Sequence, residues 1–574
     1  MCGIAGVVGH AQAFEWTERI TRAQEHRGPD SGGVLRLRAD VAFGHRRLAI
    51  VDLSERGHQP MTSRDGRWTI TLNGEIFNYS ELRAELPGIA WRSETDTEVL
   101  LEAIAAWGVE RTLERTVGMF ALGLWDRLED TLLLARDRVG EKPLVYFWNG
   151  TTLAFTSEMK ALAGLHYSTI APAALDVYLG LGYVPAPLGI FRNTYKLQPG
   201  HYARLRRGVL DVRRWWFPER REDPRTDEPA RGEQLRQKFG EAVRMRLRAD
   251  VPVALALSGG VDSSAIAVEM QKSGSAPHTF TVAFGADHAD VAHAREVAQH
   301  LGLRHEVIPA KPPGPEDLIR FAENYDEPFA DSSALGCMAL ASAVSGRYKV
   351  ILDGDGGDEA FGGYRHYEYI APKQWVKAAA ATVGLRDGQS SSTVYIQSKT
   401  TFRAGERAKL LNGHGAAGLD HFLTSDAFLQ QRRAGSLKQA LWSDRHLPLA
   451  NGLTYKMDVA LAAWGVEGRA PFLDHRVLEW SQTLDERDLV RGRAKKILLR
   501  ETYASELPAS VLNRGKQGFG APIETWLAGP LRDELAQLLP CPLLGAELQR
   551  GLSGQRLWTL FALACWARKW EASW

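Results

Sequence analysis

The chain has 574 residues, of which 44% are apolar and 24% are charged, a balance typical of soluble globular proteins. This length exceeds one ordinary hydrophobic core, so at least two domains are expected. The formal net charge of +1 gives no electrostatic basis for binding nucleic acid or an anionic membrane, and we expect neither partner.

The cysteines and the apolar runs exclude further classes of protein. Cysteines occur at positions 2, 337, 541 and 565 without CxxC spacing, which argues against a disulfide framework and against a structural zinc site. No apolar run reaches transmembrane length, and the N-terminus lacks the basic and apolar segments of a signal peptide. We therefore expect a cytoplasmic protein.

The chain begins Met1-Cys2-Gly3. Cysteine is small enough for Met1 to be removed, and a terminal Cys2 would carry a thiol nucleophile beside an α-amine of reference pKa about 7.7 to 8.0, which can act as a base. The alternative for a lone cysteine is an idle or buried thiol.

Four downstream segments favour the catalytic interpretation of Cys2. They are residues 26–30 (HRGPD), 46–52 (RRLAIVD), 73–78 (NGEIFN) and 93–98 (SETDTE). Each resembles a segment of the class II glutamine amidotransferases, and they occur in that family's order. The chemistry implied is thiolate attack on a side-chain amide, with donors for the oxyanion and charged groups for the amino-acid end of glutamine.

The resemblance assigns roles to individual residues. Asn73 and Gly74 would stabilise the oxyanion, Arg47 would hold the substrate carboxylate in a bidentate fork, and Glu75 and Asp96 would receive its ammonium group. The same resemblance adds the run Leu48, Ala49, Ile50 and Val51 to the glutamine site. Asn73-Gly74 is also a hairpin-turn signal, and both interpretations stay open.

Short strands separated by turns are predicted in the first part of the chain, among them residues 68–72, 120–125 and 131–135. They favour stacked antiparallel sheets between helices, an α+β arrangement that the N-terminal nucleophile fold requires. Charged residues and prolines crowd residues 206–232, where no apolar period persists. We place the domains at 2–210 and 230–574 on either side.

Residues 251–264 (VPVALALSGGVDSS) predict a strand, a small-residue loop and then a helix over 265–272. Such a loop binds phosphate through glycine backbone, serine hydroxyls and the helix N-terminus. The common motif G-x-x-x-x-G-K-[ST] is absent from the sequence. The loop resembles instead the ATP pyrophosphatase loop of the asparagine synthetase and argininosuccinate synthetase superfamily. An ordinary strand-to-helix turn is the alternative.

A second strand and loop follow at residues 350–359 (VILDGDGGDE). If both loops leave the carboxyl edge of one parallel sheet, the doubly wound α/β arrangement that we expect, they lie side by side. The predicted ATP-binding residues are Ala256, Ser258, Gly259, Gly260, Asp262, Ser263, Ser264, Val282, Asp353 and Gly354.

The acidic loop resembles the second nucleotide loop of asparagine synthetases. By that resemblance Asp262 and Asp358 are the Mg²⁺ ligands, and Asp355 occupies the place of a glutamate that acts as general base in many members. The shorter side chain moves the carboxylate by about 1.5 Å, which puts that role in doubt. A structural role for Asp353 and Asp355 in forming the loop is the alternative.

Later segments fit the same family: residues 326–333, 466–474, 495–501 and 516–523. A lysine near the α-phosphate would neutralise the charge that grows as an adenylate forms. Counting back from Leu-Leu-Arg-Glu assigns this catalytic role to Lys496, with Lys495 as its competitor.

The chain is identified as a member of the glutamine-hydrolysing asparagine synthetase family, over Cys2 to about Trp566. The resemblance implies glutamine, ATP and aspartate as substrates, Mg²⁺ as cofactor, and an internal tunnel that carries ammonia to a carboxylate activated as acyl-AMP. A homodimer is one assembly that it allows. The alternatives are a relative that amidates a specialised carboxylate in a natural product, peptide or glycan, and a non-catalytic relative. Cys2 argues against the ring-closing relatives, which have lost that nucleophile.

Overall fold

A computed structural model gives the fold of the chain. It describes residues 1–165, 169–218, 228–285, 289–369, 391–415, 417–425, 437–515, 520–545, 549 and 551–573. Within these residues no helix is long and apolar enough to cross a membrane.

The first half of the chain contains two six-stranded sheets. The first has the order β10-β8-β9-β1-β3-β2 and the second the order β12-β11-β7-β6-β5-β4, with all pairs antiparallel. The strands are β1 Gly3–Val8, β2 Ser31–Arg38, β3 Val41–Arg47, β4 Met61–Thr62, β5 Trp68–Ile76, β6 Gly118–Asp126, β7 Thr131–Arg136, β8 Val145–Trp148, β9 Leu153–Thr156, β10 Thr194–Lys196, β11 His201–Arg206 and β12 Val209–Arg214.

Apolar side chains of both sheets meet in one buried cluster, which includes Ile4 and Phe43 from the first sheet and Trp125 and Leu134 from the second. The outer face of the second sheet packs against helix α3, and helix α1 packs against the first sheet. The helices of this half are α1 Ala13–Arg22, α2 Tyr79–Ala84, α3 Asp96–Trp107, α4 Val109–Arg115 and α5 Pro172–Leu181. Burial on both faces explains why β6 and β7 read as almost continuous apolar runs. The predicted stacked sheets between helices are confirmed.

The second half is built on a five-stranded parallel sheet of order β15-β14-β13-β16-β17. Its strands are β13 Val253–Ala256, β14 Thr279–Ala283, β15 His305–Pro309, β16 Val350–Leu352 and β17 Glu467–Arg469, and a two-stranded hairpin adds β18 Val490–Arg491 and β19 Ala494–Lys495. Because β13 pairs with β14 on one side and with β16 on the other, the loops that follow β13 and β16 leave the same edge side by side. The predicted α/β doubly wound sheet is confirmed.

Helices surround this sheet. They are α6 Glu228–Arg246, α7 Val261–Lys272, α8 Ala289–His300, α9 Pro315–Asn324, α10 Ala334–Val344, α11 Gly357–Phe361, α12 Ser391–Gln397, α13 Ala404–Leu410, α14 Gly418–Thr424, α15 Leu437–Asp444, α16 Thr454–Ala462, α17 His475–Thr483, α18 Glu486–Leu489, α19 Ile497–Thr502, α20 Ala509–Leu512, α21 Ile523–Ala528, α22 Arg532–Leu538 and α23 Gly554–Lys569. A π-helical segment, Arg445–Leu453, joins α15 to α16.

The two halves share buried surface. The apolar cluster under the parallel sheet includes Leu48 and Ile50 of the first half together with Leu255 and Leu352 of the second. Strand β12 runs past residue 210, so the second sheet ends inside the predicted boundary segment, part of which (219–227) lies outside the described residues.

Candidate active sites of the two halves

Cys2 immediately precedes β1, an inner strand of the first sheet. Its backbone N–H donates to Asn73 Oδ1 at 3.0 Å, and its Sγ lies 4.0 Å from the carbonyl oxygen of Leu48. Asn73 is fully buried, and among the described residues its Nδ2 has no hydrogen-bond partner. A buried amide N–H₂ beside a thiol is a donor ready for the oxygen of a substrate. Burial raises the pKa of the Cys2 thiol.

Asn73 and Gly74 lie inside β5, paired with Ala121 and Phe120 of β6. The hairpin-turn interpretation of this dipeptide is therefore wrong, because strand pairing continues through it to Ile76. Gly74 has φ +137°, and a Cβ there would lie 2.0 Å from the carbonyl oxygen of Met119. Only glycine fits this close approach.

Glu75, near the end of β5, and Asp96, at the start of α3, are neighbouring buried carboxylates. Burial, and then the neighbouring Asp96, raises the pKa of Glu75, and burial raises the pKa of Asp96 to about 6. Glu75 Oε2 lies 3.4 Å from the Arg469 guanidinium, while its buried Oε1 has no hydrogen-bond partner among the described residues. Asp96 accepts from the N–H groups of Ile76 and Thr97 at 2.8 Å each. Two buried carboxylates with a spare acceptor form a site that suits an ammonium group.

Arg47 is held by the loop that follows it. Its guanidinium donates to the carbonyl oxygens of Ser54 at 2.7 Å, Val51 at 3.3 Å and Asp52. The loop runs through the predicted residues Leu48, Ala49, Ile50 and Val51, of which the first three are buried. A guanidinium has five N–H donors, so donors remain for a carboxylate.

The loop between β13 and α7 has the predicted form. Ser258 N–H donates to Ser263 Oγ at 3.1 Å, the two hydroxyls lie 3.1 Å apart, and α7 begins with Gly260 as its N-cap. Gly259 has φ +68°, and a Cβ there would meet Ala294 N at 2.5 Å. The loop is therefore pressed against α8 with its small residues at the helix N-terminus, where anions bind.

The carboxylates of Asp262 and Asp358 both lie against the ammonium group of Lys496. Lys496 Nζ contacts Asp262 Oδ2 and lies 2.6 Å from Asp358 Oδ1. Lys496 caps α19 at φ +55°, in the left-handed region, whereas Lys495 pairs with Glu368. The geometry thus separates the two lysines, and the strained one faces the two loops.

Asp353 and Asp355 follow β16. Asp353 is buried, its Oδ1 accepts from Asp355 N–H at 3.0 Å, and its own N–H donates to the Arg469 carbonyl oxygen at 3.1 Å. Burial and the Asp355 charge raise the pKa of Asp353 to about 7. One of the two carboxylates can therefore hold a proton near neutral pH.

A cavity of about 500 Å³ joins the two loops. Its lining includes the predicted residues Ala256, Ser258, Gly260, Asp262, Ser263, Val282, Asp353, Gly354, Asp355, Asp358 and Lys496. The predicted ATP-binding residues Gly259 and Ser264 are not among its lining residues: the first faces α8 and the second is fully buried in α7. Residues 516–519 of the predicted glycine loop lie outside the described residues.

Arg27 and Arg469 belong to the sequence motifs at 26–30 and 466–474, and the sequence assigns neither of them a role. Arg27, fully buried, donates from Nε to the Cys2 carbonyl oxygen at 2.9 Å and from NH2 to Asp458 Oδ2 at 2.8 Å. Arg469 touches Glu75 with its side chain and Asp353 with its backbone. Lys456 was not anticipated; it lines the cavity and its Nζ lies 3.1 Å from Asp331 Oδ2.

The donor set fits Mg²⁺ carried by a nucleotide. Among the described residues no group of three His, Cys, Asp or Glu could hold a metal alone. Asp262 and Asp358 nevertheless meet around the ammonium group of Lys496, and Asp262 Oδ1 is buried without a hydrogen-bond partner among the described residues. One or two carboxylates, with phosphate oxygens completing the shell, are the usual protein share of such a site.

Comparison with known proteins agrees with this layout. A family model described as a glutamine amidotransferase domain matches residues 1–216, and one described as asparagine synthase matches residues 234–568. Asparagine synthetase (glutamine-hydrolyzing) 1 of Bacillus subtilis (strain 168) is 30% identical over 94% of this chain and 90% of its own. A protein of Gibberella zeae named amidase chry2 is 28% identical over 94% of this chain and 92% of its own.

The chain belongs to the asparagine synthase family. By that membership it is a glutamine-hydrolysing carbon–nitrogen ligase with ATP as a substrate.

Proposed function

We propose that the first half hydrolyses glutamine with Cys2 as nucleophile. Asn73 Nδ2, which has no hydrogen-bond partner in the described part of the chain, and the Gly74 backbone receive the oxyanion, Arg47 holds the α-carboxylate, and Glu75 with Asp96 holds the ammonium. Use of the Cys2 amine as the base requires removal of Met1, which stays a prediction.

In the second half, the nucleotide occupies the cavity between the loops after β13 and β16. The serines and α7 bind its pyrophosphate end, and Asp262 and Asp358 would hold Mg²⁺, which would supply charge neutralisation there. Lys496 then turns from these carboxylates toward the phosphates, where it offsets the charge that develops as the acceptor carboxylate attacks the α-phosphate.

One observation carries the link between these reactions. Arg469 contacts Glu75 at the glutamine end through its side chain, and its carbonyl oxygen accepts from Asp353 N–H at the nucleotide end, 3.1 Å away. A single residue thus spans the two sites. This supports an internal passage for ammonia between Cys2 and the acidic loop, with the carboxylate of Asp355 or its partner Asp353 as proton acceptor.

The acceptor that we propose is aspartate. The cavity wall offers Lys456 for a second carboxylate and the carboxylates of Asp331 and Asp353 for an ammonium group. These are the charges that a zwitterionic acid needs.

A specialised carboxylate is the second candidate. The relative named amidase chry2 matches the whole layout of the chain at an identity close to that of the synthetase relative. Asp355 also stands where many asparagine synthetases have the longer glutamate. A changed carboxylate next to the acceptor is a direct way to change which acid is amidated.

Product identity tests the choice between acceptors. With MgATP, aspartate should stimulate pyrophosphate release, and added glutamine should then give asparagine and AMP in equal amounts, because only an oriented carboxylate reaches the α-phosphate in line. Absence of pyrophosphate at millimolar aspartate, from protein that still hydrolyses glutamine, would favour the specialised acceptor. The homodimer stays a prediction, which a molecular mass from solution scattering would test.

A further inference from the structure

Asp250, in the second half of the chain, forms hydrogen bonds with the backbone of the loop that follows Arg47, residues 48–54. Asp52 N–H donates to Asp250 Oδ2 at 2.8 Å, and Asp250 N–H donates to the Ile50 carbonyl oxygen at 2.9 Å. Asp250 stands just before β13, the strand that leads into the nucleotide loop. These two hydrogen bonds connect the loop of residues 48–54 in the first half to the parallel sheet of the second half.

The fastened segment is under conformational strain. Asp52 has φ +53°, in the left-handed region that non-glycine residues seldom occupy. Its carboxylate accepts from Ser54 N–H at 3.1 Å and from Glu94 N–H at 2.9 Å. These side-chain bonds, together with Asp250, hold a backbone conformation that a free loop would leave.

This conformation decides where Arg47 points. The carbonyl oxygens of Val51, Asp52 and Ser54 converge on its guanidinium only while the chain turns at Asp52. A guanidinium fixed by three acceptors has lost its rotamer freedom before substrate arrives, so less is lost when a carboxylate binds.

We propose that Asp250 is a positioning residue for glutamine: it holds Asp52 from across the domain boundary and so fixes the fork of Arg47. This inference rests on the proposed function, in which Arg47 binds the α-carboxylate of glutamine. It places a determinant of glutamine affinity in the half of the chain that binds ATP.

Glu81 provides a matched control at the same boundary. Its carboxylate pairs with Arg248 at 2.8 and 2.9 Å, two residues from Asp250 in the sequence, and among the described residues it makes no hydrogen bond to the loop of residues 48–54. Glu81→Gln removes a carboxylate charge across the interface without touching Asp52. Asp250 and Glu81 are both exposed, so neither substitution leaves a buried cavity.

The experiment compares Asp250→Ala, Asp250→Asn, Glu81→Gln and Arg47→Lys in the full chain. We expect Asp250→Ala to raise KM for glutamine about tenfold with a smaller change in kcat, because one charge-assisted hydrogen bond is lost. Asp250→Asn keeps an acceptor oxygen and should stay within about twofold of the parent. Glu81→Gln should match the parent. The rise in melting temperature caused by MgATP should be the same in all of them.

Each other outcome has a definite meaning. An unchanged KM in Asp250→Ala, with a raised KM in Arg47→Lys, would overturn the role of Asp250 and leave the proposed glutaminase intact. An unchanged KM in Arg47→Lys would overturn the role of Arg47 itself, and this inference with it. Equal loss of glutamine hydrolysis and of the MgATP effect in Asp250→Ala would mark a structural residue and also overturn the proposal.

Discussion

The two halves of the chain build their sites in opposite ways. In the first half, Asn73 and Glu75 project from the interior of a strand and keep buried polar atoms without partners among the described residues. In the second half, Asp262, Asp358 and Lys496 lie on loops and helix ends beyond the strands and form ion pairs with one another, although Asp262 Oδ1 has no hydrogen-bond partner among the described residues. A ligand of the first site can therefore add hydrogen bonds to the buried polar atoms of Asn73 and Glu75. A ligand of the second site must replace the ion pairs that Lys496 forms with Asp262 and Asp358.

This difference predicts different responses to change. Strand register fixes the positions of Asn73 and Glu75. In the proposed mechanism, the loss of either side chain lowers the rate of glutamine hydrolysis in a way that a higher glutamine concentration cannot restore. The charged groups of the synthetase half are exchangeable, so their loss should respond to Mg²⁺ and to nucleotide concentration.

The largest expected effect is that of Cys2→Ala. Without the thiol, glutamine hydrolysis should fall at least about 1,000-fold, while amide formation from ammonium salts continues, because the two reactions use separate sites. Ammonia release and pyrophosphate release, measured on the same preparation, test this. Residual glutaminase activity near the parent level would remove Cys2, and then Asn73 and Gly74, from the mechanism.

Lys496→Met should have the next largest effect. We expect pyrophosphate release to slow about 100-fold, because the charge that develops at the phosphates loses its cation. Lys495→Met is the matched control, since that lysine pairs with Glu368 and should matter little. A greater loss in the Lys495 variant would reverse the assignment of the two lysines.

Smaller effects are expected from Asp262→Asn and Asp358→Asn. Each removes one negative ligand, so half-saturation by Mg²⁺ should rise about tenfold, and high Mg²⁺ should restore part of the rate. Titration of pyrophosphate release with Mg²⁺ measures this, and glutamine hydrolysis serves as the internal control. A variant that adenylates normally at low Mg²⁺ has lost only a loop-forming residue.

The smallest effect is a change in pH dependence. The pKa of Asp96 is raised to about 6 by burial, so this carboxylate is ionised above that pH and protonated below it. If the ionised form receives the ammonium of glutamine, kcat/KM for hydrolysis should fall as the pH drops through about 6. Asp96→Asn should lower kcat/KM and flatten this limb of the profile. A limb that is the same in Asp96→Asn belongs to another group.

Local sequence predicted much of this molecule. Apolar runs located β5, β6 and β7 of the second antiparallel sheet and β13 and β16 of the parallel sheet, since burial on one or two faces leaves that pattern. The small-residue loop at 257–260 and the acidic loop after β16 were expected to lie together, and they do, because adjacent parallel strands end at one edge.

What the sequence could not predict depends on contacts between segments that are distant in the chain. The contact of Arg469 with Glu75 joins residues 394 positions apart, and no local pattern marks it. The Asn-Gly dipeptide left a hairpin turn open as one interpretation, but pairing with β6 carries the strand through it. The burial of Gly259 against α8 and of Ser264 within α7 was also not predictable from the sequence, and ATP binding by these two residues stays a prediction.

Leu48 and Ile50 belong to the apolar cluster under the parallel sheet, although they come from the loop of residues 48–54 in the other half. The two catalytic units are therefore not interchangeable parts. A chimera that takes its first half from another enzyme must supply apolar side chains at the positions of Leu48 and Ile50. A second half expressed alone would expose the apolar surface that these two residues cover. Recombination between such enzymes is constrained by these two residues as well as by the active sites.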